Sequence, residues 1–369
     1  MKKILILCTT DSMIWNFLIP HIKKLQLQNI EIECACSKTG FYFREIQELT
    51  GCVIHEIPFK RSPYNLSNLK SYFILNKLIK KKKYDLIFCH EPVGGAMGRL
   101  VGHSNRCKVI YMAHGFHFYK GAPFKNTMYY IAERILSRYT DTLITINQED
   151  YSKALKFKAK SIKKINGIGI NTCKFKKKNS CFLRSQYGLH TDDLIILSVG
   201  ELIPRKNHKV ILRALHSLRD DKIHYFIAGD GELKEYLSKQ IRVLGLENQV
   251  HLLGFCRNVS DLYNSCDVFV LPSRQEGLSV ALMEAMACAK PAIVSKIRGN
   301  VDLIDSKQGG FIVDIDDIEN YARAIRKIKN NPDLCIRFGE YNMNKVKKFD
   351  INNVEKQLND IYQKMLGEN

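Results

Sequence analysis

Short apolar segments alternate with longer amphipathic segments along this chain, and the alternation runs through the sequence twice. The apolar segments of the first half lie at residues 3–8, 30–36, 85–90, 108–114 and 142–147. Those of the second half lie at residues 194–200, 224–231, 249–254, 267–272 and 291–295. Because helical patterns separate them, these segments predict parallel strands in sheets that helices cover on both faces. The predicted fold class is α/β, with two doubly wound, Rossmann-like domains.

The alternation pauses once, in a stretch rich in Gly, Asn and Lys at residues 166–193, which is typical of a linker or hinge. We therefore predict, in chain order, an N-terminal domain, a linker, a C-terminal domain and a final helix that Asp350 caps. These four segments cover residues 1–172, 173–192, 193–348 and 349–369. Two doubly wound domains joined by a hinge predict a cleft at the carboxyl ends of their strands.

Basic residues are unevenly divided between the two halves. Lys and Arg outnumber Asp and Glu by 57 to 37, which gives a net charge of +20 at pH 7. Residues 1–180 hold 31 basic and 12 acidic residues, a net +19, whereas residues 181–369 hold 26 and 25, a net +1. The asymmetry predicts an anionic partner for the N-terminal half: nucleic acid, an anionic membrane surface or a phosphorylated substrate. A surface made soluble by lysine is the alternative.

The twelve cysteines and the hydropathy pattern restrict the cellular setting. No CxxC pair occurs, and the one close pair, Cys34 and Cys36, has a single residue between its members, so a zinc site is not predicted. Most cysteines lie in apolar runs, where a reduced thiol acts as a small hydrophobic group. No apolar run reaches the ~18 residues of a transmembrane helix, and no signal peptide is visible. These features predict a protein of the reducing cytoplasm.

The most specific pattern in the chain is the segment at residues 272–291, which follows a predicted buried strand. Its Gly277 permits a close approach of the backbone to a ligand. A helix start binds phosphate, because its backbone amides and its positive dipole end face outward. The residues at this helix start are Leu278, Ser279 and Val280, with Ser279 as the predicted cap.

Two carboxylates and two cations accompany this helix start. Glu276 lies just before the helix and Glu284 lies inside it, where both can accept hydrogen bonds from sugar hydroxyls beside a phosphate. Arg205 and Lys206 fall in a loop after another predicted strand, and adjacent basic groups there can neutralise a diphosphate. The plainer alternatives are two surface glutamates on an amphipathic helix and a solvated helix start.

A glycine-rich turn ends the apolar segment at residues 224–231. Gly229 and Gly231 flank an aspartate in the sequence IAGDGE, a turn that on its own is weak support for nucleotide binding. Neither GxGxxG nor GxxxxGK(S/T) occurs, which disfavours dinucleotide-binding and kinase-like proteins. Asp314 and Asp316 precede a late helix and are interpreted as its cap rather than as metal ligands, so no metal site is predicted.

The E-x7-E spacing of Glu276 and Glu284 in EGLSVALMEA resembles the signature of glycosyltransferase family 4. Members of that family are retaining enzymes of the GT-B fold that use nucleotide sugars. The elements GEL…RKN, AGDGE, LLGF…N and DVFVLPS also resemble the family in order and spacing. The resemblance covers residues 190–330 with high specificity and the N-terminal half with less. It implies two Rossmann-like domains that face a central cleft, with the C-terminal helix crossing back to the N-terminal domain.

The resemblance also implies a role for each charged residue of the C-terminal half. Glu284 resembles the carboxylate that binds the ribose, and Glu276 resembles the one that contacts the donor sugar. Arg205 and Lys206 resemble the clamp on the diphosphate. The family often has Arg or Lys where Glu201 stands in this chain.

The remaining donor contacts implied by the resemblance fall on turns. The amides of residues 278–280 would bind the phosphates. The LLGF turn, with Gly254 and Phe255, would lie beside the base. Gly229 and Gly231 complete the implied donor site.

In the N-terminal half, His114 and His117 lie within one glycine-containing loop at the end of a predicted strand. An imidazole at a strand end can hydrogen-bond a sugar or a leaving phosphate near neutral pH, whereas a lone histidine is more often structural. The sequence HGFH also resembles the HG element of the family. That resemblance favours His114 over His117 as the residue that meets the donor near its reacting carbon, although either could do so. His117 is predicted on the acceptor side.

Two further loops of the N-terminal half resemble family loops. The sequence HEPVGG, which begins with His90 and Glu91, resembles a loop that lines the acceptor side. The first loop of the family commonly carries a Gly-Gly pair that approaches the donor phosphate. Here that loop reads CTTDSMIWNF at residues 8–17, without glycine, so its donor contacts stay open.

The resemblance therefore implies a retaining hexosyl- or N-acetylhexosaminyltransferase. The expected donor is UDP-hexose or UDP-N-acetylhexosamine, and the expected acceptor is a lipid-linked saccharide in bacterial surface polysaccharide synthesis. Because the cations and the helix start can stabilise the departing diphosphate, no metal or other cofactor is expected. We expect the enzyme to be cytoplasmic and peripheral on the inner face of the cell membrane.

The basic segments at residues 77–84, 156–164 and 174–178 allow two interpretations. The helix predicted before the first of them has apolar positions at Leu66, Leu69, Phe73 and Leu78. An amphipathic helix with adjacent lysines can lie on an anionic bilayer. Nucleic acid is not expected, because no RRM, KH, helix-turn-helix or zinc-finger pattern occurs. The alternatives to a transferase are a GT-B-type sugar-nucleotide epimerase and a basic nucleic-acid-binding protein.

Overall fold

The computed structural model describes residues 1–40 and 42–367. The chain divides into two compact units. The first comprises residues 1–168 together with the chain from residue 352, and the second comprises residues 169–351. Each unit is built on one wholly parallel sheet with helices packed against it, so the predicted α/β class with two Rossmann-like domains is confirmed.

The sheet of the first unit has seven strands in the order β3-β2-β1-β4-β5-β6-β7. The strands are β1 (Lys3–Thr10), β2 (Glu31–Ser37), β3 (Val53–Glu56), β4 (Leu86–His90), β5 (Lys108–Ala113), β6 (Thr142–Thr145) and β7 (Ser161–Lys164). The central strands β1 and β4 are buried along nearly their whole length, which accounts for their continuous apolar sequences. The strand order reverses between β1 and β4, and ligands of such sheets bind at the carboxyl ends beside this switch point.

The sheet of the second unit has six strands in the order β10-β9-β8-β11-β12-β13. The strands are β8 (Leu194–Val199), β9 (Ile223–Ala228), β10 (Val250–Gly254), β11 (Val268–Leu271), β12 (Ala292–Ser295) and β13 (Gly310–Val313). Here the order reverses between β8 and β11. The loops that follow these two strands hold the charged residues singled out from the sequence.

The helices fall between the strands. They are α1 (Asp11–Met13), α2 (Ile19–Gln26), α3 (Tyr42–Thr50), α4 (Ser67–Lys82), α5 (Pro92–Ser104), α6 (Thr127–Leu136), α7 (Gln148–Ala154), α8 (Phe182–Tyr187), α9 (His208–Leu218), α10 (Lys234–Val243), α11 (Ser260–Ser265), α12 (Val280–Ala287), α13 (Asn300–Leu303), α14 (Ile318–Lys329), α15 (Pro332–Val346) and α16 (Ile351–Leu366). A π-helical segment covers Ile14–Leu18, and single 3-10 turns cover Phe124–Asn126, Ser137–Tyr139, Pro204–Lys206 and Lys347–Phe349.

The C-terminal helix α16 packs within the first unit from residue 352 onward. The ring of Tyr362 stands edge-on to Phe88 of β4, with centroids 5.6 Å apart. The ammonium of Lys108 donates to the carbonyl of Met365 at 2.6 Å. Asp350, the expected N-cap, accepts a 2.5 Å hydrogen bond from the Thr172 hydroxyl.

Three strands are absent from the sequence prediction: β3, β7 and β13. Each of them is an edge strand, and an edge strand is covered less completely than a central one. The segment Ser161–Lys164, for example, has partly or fully exposed residues throughout, so its sequence SIKK lacks the apolar run that identifies a central strand.

The segment predicted as a linker, residues 173–192, contains the short helix α8. This helix belongs to the second unit, and its Leu183 is fully buried there. A six-residue helix with one buried position has too short a pattern to be recognised from periodicity.

Candidate active site

The loops after β8 and β11 bring Glu276, Arg205 and Lys206 together at the switch point of the second sheet. The ammonium of Lys206 lies 2.8 Å from Oε1 of Glu276, and Nη1 of Arg205 lies 3.1 Å from Oε2. Nη1 of Arg205 also donates to the carbonyl of Gln275 at 2.9 Å. Lys206 and Glu276 are buried. Residues far apart in the sequence therefore form one ionic cluster.

The charges of this cluster keep Glu276 ionised. Burial alone would raise the pKa of the Glu276 carboxyl. The ammonium of Lys206 and the guanidinium of Arg205 oppose burial and lower that pKa below its ordinary value. The structure thus pairs both predicted phosphate-binding cations with the predicted sugar-binding carboxylate.

Close backbone packing beside Lys206 explains the glycines predicted for this region. A Cβ on Gly200 would lie 3.0 Å from Cε of Lys206, and a Cβ on Gly229 would lie 1.9 Å from the carbonyl oxygen of Gly200. The amide of Gly229 donates to the carbonyl of Gly254 at 2.7 Å. A Cβ on Gly231 would lie 2.7 Å from a backbone carbonyl of the loop after β8. These glycines therefore let the ends of β8, β9 and β10 approach one another.

The predicted helix start at Ser279 is present. The Ser279 hydroxyl accepts a 3.3 Å hydrogen bond from the amide of Leu282, which caps α12. No acidic residue lies in the first turn of α12, so the positive end of the helix dipole is not offset there. The preceding Gly277 packs closely against Gly299. A Cβ on Gly299 would lie 2.4 Å from the carbonyl oxygen of Gly277. The amides of residues 278–280 thus begin α12 next to the Glu276 cluster.

Arg298 is a buried cation of this site that sequence reasoning missed. Its Nε donates to the carbonyl of Glu276 at 3.2 Å, and the residue is 5% exposed. It lies just after β12, in the sequence SKIRGN, where no recognised motif singled it out. The one sequence signal that could have identified Arg298 is its place between the end of an apolar run and a glycine.

Glu284 stands on α12 and bonds a tyrosine from a different helix. The hydroxyl of Tyr263, on α11, donates to Oε2 of Glu284 at 2.9 Å. Burial raises the pKa of Glu284 to about 7, against smaller opposing effects of Tyr263 and of the Lys174 ammonium. The carboxyl is therefore poised between its neutral and ionised forms near neutral pH. Tyr263 was not singled out from the sequence.

Phe255 follows Gly254 at the end of β10 and exposes its ring to solvent. The side chain is 65% exposed, which is unusual for a large aromatic residue beside a buried sheet. Gly254 has a φ of +68°, so the backbone turns sharply before the ring. A planar exposed ring of this kind suits stacking against a flat ligand.

The interpretation of Asp316 as a helix cap is wrong. Asp317 caps α14, because its carboxylate accepts a 3.0 Å hydrogen bond from the amide of Asn320. Asp316 instead binds the guanidinium of Arg274 at 2.6 Å. The two adjacent aspartates thus bond different partners, which the sequence pattern does not distinguish.

In the first unit, Glu91 binds the carboxyl end of β1. Its carboxylate accepts hydrogen bonds from the amides of Thr9 and Thr10, at 2.8 and 3.2 Å. The amide of Gly94 in α5 donates to the hydroxyl of Thr9 at 3.0 Å. Glu91, predicted on the acceptor side, thus stabilises the end of β1 at the switch point between β1 and β4, within the glycine-free segment that was predicted as a loop. The buried Asp11 follows as the first residue of α1 and accepts from the amide of Thr39 at 3.1 Å.

The three histidines predicted for the site, His90, His114 and His117, fall into two environments. Nδ1 of His90 lies 2.9 Å from Nε2 of His114, so the structure brings these two predicted residues together. His117 is exposed, and its ring lies against Tyr129 with centroids 4.9 Å apart. The alternation of side chains along HGFHF separates His117 from His114, because Phe116 and Phe118 enter the core.

Metal clusters and membrane-spanning helices are both missing from the described part of the chain. Within residues 1–40 and 42–367, no three His, Cys, Asp or Glu side chains are placed to hold a metal ion. Over the same described ranges, no helix combines the length and the apolar character that crossing a membrane requires.

The chain has two units with parallel sheets, and the second unit has a Glu–Lys–Arg cluster beside a helix start. Together these features are the architecture of the GT-B glycosyltransferases. Residues 180–345 match the family described as "Glycosyl transferases group 1", and residues 3–147 match the one described as "Glycosyl transferase 4-like". The chain belongs to the family 4-type glycosyltransferases, and it is an enzyme of that kind.

Relatives along nearly the whole chain agree with this family. EpsD of Bacillus subtilis (strain 168), itself assigned only provisionally as a glycosyltransferase, is 35% identical over 373 residues, which cover 98% of this chain and 96% of EpsD. The UDP-Gal:alpha-D-GlcNAc-diphosphoundecaprenol alpha-1,3-galactosyltransferase of Escherichia coli is 29% identical over 310 residues, 80% of each chain.

A solved structure agrees in fold. HepE of Anabaena, crystallised in complex with UDP, superposes with a TM-score of 0.81 over 99% of this chain and 100% of HepE. Because the two sequences are 19% identical, this likeness bears on the fold alone.

Proposed function

We propose that this enzyme transfers a sugar from UDP-hexose or UDP-N-acetylhexosamine to a lipid-linked saccharide, with retention of the anomeric configuration. The observation that carries the proposal is the cluster of Glu276 with Lys206 and Arg205 beside the start of α12. The Escherichia coli relative adds support, since its name specifies UDP-Gal and a diphosphoundecaprenol-linked acceptor.

The cluster is suited to stabilise the leaving group. The nucleoside diphosphate gains negative charge as its bond to the anomeric carbon breaks. The ammonium of Lys206, the guanidinium of Arg205 and the amides of residues 278–280 are fixed dipoles and charges that stabilise that anion. The acceptor oxygen bonds to the anomeric carbon on the face that the diphosphate leaves, and the acceptor proton passes to the leaving phosphate. No metal or cofactor takes part in this step.

Other residues bind the remaining parts of the donor. Glu276 accepts from hydroxyls of the transferred sugar, and Glu284 accepts from the ribose. The exposed ring of Phe255 lies beside the base. His114 also contacts the donor sugar.

A donor panel with product analysis tests the proposal. Binding of UDP-sugars and of other nucleotide sugars is measured by calorimetry, and the preferred donor is then incubated with a polyprenyl diphosphate-linked saccharide. We expect preference for a UDP-sugar and a glycoside whose NMR couplings show the donor's own anomeric configuration. An inverted product contradicts retention. Conversion of the donor without any acceptor identifies an epimerase instead.

We also propose that the first unit docks on an anionic membrane. The docking face consists of exposed apolar residues from two helical regions. Within each region these residues are spaced so that they lie along one side of the helix. These residues are Leu66, Leu69 and Phe73 at the start of α4, Phe124 in the 3-10 turn before α6, and Met128, Ile131 and Ile135 along α6. The two regions are neighbours, because burial raises the pKa of the Tyr129 hydroxyl of α6 and Tyr64, just before α4, lies near enough to raise it further. Leu78, expected with the first group, is instead partly buried against the core.

The charge around the docking face complements anionic lipid. The first unit holds 29 basic and 15 acidic residues, a net +14, and the second holds 28 and 22, a net +6. Helix α4 contains no carboxylate, and Glu133 of α6 is buried against Arg99 at 2.6 Å. Exposed apolar side chains bordered by cations favour the interface of an anionic bilayer. Such docking would place the enzyme where a lipid-linked acceptor is found.

A further inference from the structure

His90 and His114 stand at the carboxyl ends of two neighbouring strands, β4 and β5. His90 lies opposite Met112 in the strand register, and His114 is two residues beyond Met112. Side chains two residues apart in a strand share one face, so both imidazoles lie on the same side of the sheet. Nδ1 of His90 lies 2.9 Å from Nε2 of His114, and the ring centroids are 5.2 Å apart. The two rings form one hydrogen-bonded pair.

Both rings are neutral near pH 7. Burial, with the adjacent His114 as a smaller cause, lowers the pKa of His90 well below its ordinary value. Burial, with a smaller effect of His21, lowers the pKa of His114 to about 4. A neutral imidazole has one donor and one acceptor nitrogen. One ring of the pair therefore donates and the other accepts.

The surroundings of the outer nitrogens decide which ring donates. Nε2 of His90 is enclosed, with no hydrogen-bond partner among the described residues. Nδ1 of His114 is not an enclosed atom that lacks a partner, and His114 is half-buried just beyond the carboxyl end of β5. If His114 donated, His90 would carry its proton on the enclosed Nε2. A buried N–H without an acceptor is the rarer and more costly state, so His90 donates from Nδ1.

We propose that His90 is a positioning residue that holds His114 in the tautomer with its proton on Nδ1, so that His114 donates a hydrogen bond to the sugar donor. The hydrogen bond made by one ring nitrogen sets which nitrogen of its partner is protonated. This inference rests on the proposed contact of His114 with the donor.

The assigned tautomer restricts what His114 can do. Its Nε2 accepts from His90 and is not available to take a proton from the acceptor hydroxyl. Its Nδ1–H is the group left to bind an oxygen of the donor sugar or of the leaving phosphate. His114 is thus a hydrogen-bond donor in the reaction and not its base.

The tautomer can be read directly in the full-length protein, without any substrate. Long-range ¹H–¹⁵N NMR of protein labelled at histidine identifies which ring nitrogen carries the proton, and comparison with His114→Gln assigns the signal of His114. We expect His114 to carry its proton on Nδ1 at pH 7. A proton on Nε2 of His114 overturns the proposal, and this outcome needs no variant of His90.

Variants of His90 connect the tautomer to catalysis. His90→Phe keeps a ring of similar size but removes the donor, so we expect His114 to lose its single tautomer. We expect kcat to fall about tenfold or more with little change in KM for the donor. A misoriented imidazole mainly reduces stabilisation of the transition state and affects binding of the substrate less. His90→Asn restores an N–H near the position of Nδ1 and should recover both the tautomer and kcat. Met112→Leu, a packing change beside His90, is the matched control and should alter neither.

The outcomes separate this inference from the proposed function. An Nδ1 proton that persists on His114 in His90→Phe overturns the proposal, as does an unchanged kcat in a variant whose tautomer is lost. Normal transfer by His114→Ala contradicts the proposed contact of His114 with the donor, whatever the NMR shows. The inference is supported only when tautomer and kcat are lost together in His90→Phe and recovered together in His90→Asn.

Discussion

Tyr263 donates a 2.9 Å hydrogen bond from its hydroxyl to Oε2 of Glu284 and so joins α11 to α12. Tyr263 is fully buried, whereas Glu284 is half-buried. The hydrogen bond from the buried tyrosine therefore holds the half-buried carboxylate of Glu284 in place. It also opposes the burial that raises the pKa of Glu284 to about 7.

Replacement of Glu284 by alanine should weaken donor binding. A hydrogen bond to a charged group contributes about 1.5–3 kcal/mol, so we expect Kd for the nucleotide sugar to rise by about 10-fold to 100-fold at pH 8. Calorimetry measures the change, and circular dichroism shows that the variant is folded. Unchanged affinity in the folded variant excludes contact of Glu284 with the ribose.

Removal of the Tyr263 hydroxyl should change the pH dependence of donor binding. The hydroxyl lowers the pKa of Glu284, so Tyr263→Phe should raise that pKa further above about 7. Since the ionised carboxylate is the better acceptor, affinity should decline from a higher pH in the variant than in the native enzyme as the pH is lowered. Titration of Kd between pH 6 and 9 measures the shift. Tyr321→Phe, which removes another buried hydroxyl of the second unit, should leave the profile unchanged.

Loss of the Lys206 ammonium should lower turnover. A charge-assisted hydrogen bond to a leaving group can contribute ~3 kcal/mol, which corresponds to a decrease in kcat of about 100-fold in Lys206→Ala. Product formation under saturating donor measures it. Near-normal turnover would remove Lys206 from the mechanism.

The same substitution also leaves Glu276 buried without one of its two cations, and removal of one partner of a buried ion pair costs about 3–5 kcal/mol of stability. A double variant, Lys206→Met with Glu276→Gln, tests the stability effect by itself. It should recover much of the stability that Lys206→Ala loses in urea unfolding, because no charge of the pair remains buried. Its turnover should stay low, since it lacks both the ammonium and the carboxylate that accepts from the sugar.

Chelation of divalent ions should leave the transfer reaction intact. The proposed stabilisation of the diphosphate comes from Lys206, Arg205 and the start of α12, which are parts of the chain. Activity is measured after dialysis against EDTA and again after addition of Mg²⁺ or Mn²⁺. A loss of activity that only a divalent ion reverses would contradict metal independence.

Much of the fold and part of the site could be predicted because they depend on local sequence. Central strands such as Leu86–His90 are apolar along their length since both faces are covered. The loops that follow these strands lie at the switch points of the two sheets, so the strand pattern by itself points to their polar residues. The spacing of Glu276 and Glu284 is sufficient to single out that pair.

The features that were missed depend on contacts between distant segments. The edge strand Ser161–Lys164 pairs with β6 through its backbone, and backbone pairing leaves no side-chain pattern. Tyr263 meets Glu284, and Arg298 meets the carbonyl of Glu276, only because separate loops converge. His90 and His114 were both predicted as site residues, but their hydrogen bond follows from the strand register.

Apolar side chains of the docking face should contribute to membrane binding independently of charge. Ile131 is 53% exposed on α6, and Ile336 of the second unit is 55% exposed, so these two residues form a matched pair for substitution by serine. Burial of such a side chain in the interface contributes about 1–2 kcal/mol, so Ile131→Ser should reduce partitioning onto anionic vesicles by about 5-fold to 30-fold. Ile336→Ser should bind as the native enzyme does.

Pelleting with anionic and with neutral vesicles, at low salt and at ~0.5 M salt, measures the apolar and the electrostatic contributions to binding, because salt screens only the electrostatic one. Equal binding of the native enzyme to both kinds of vesicle excludes a role for the lysines in membrane binding. Vesicle binding by Ile131→Ser that equals that of the native enzyme excludes a role for the apolar stripe.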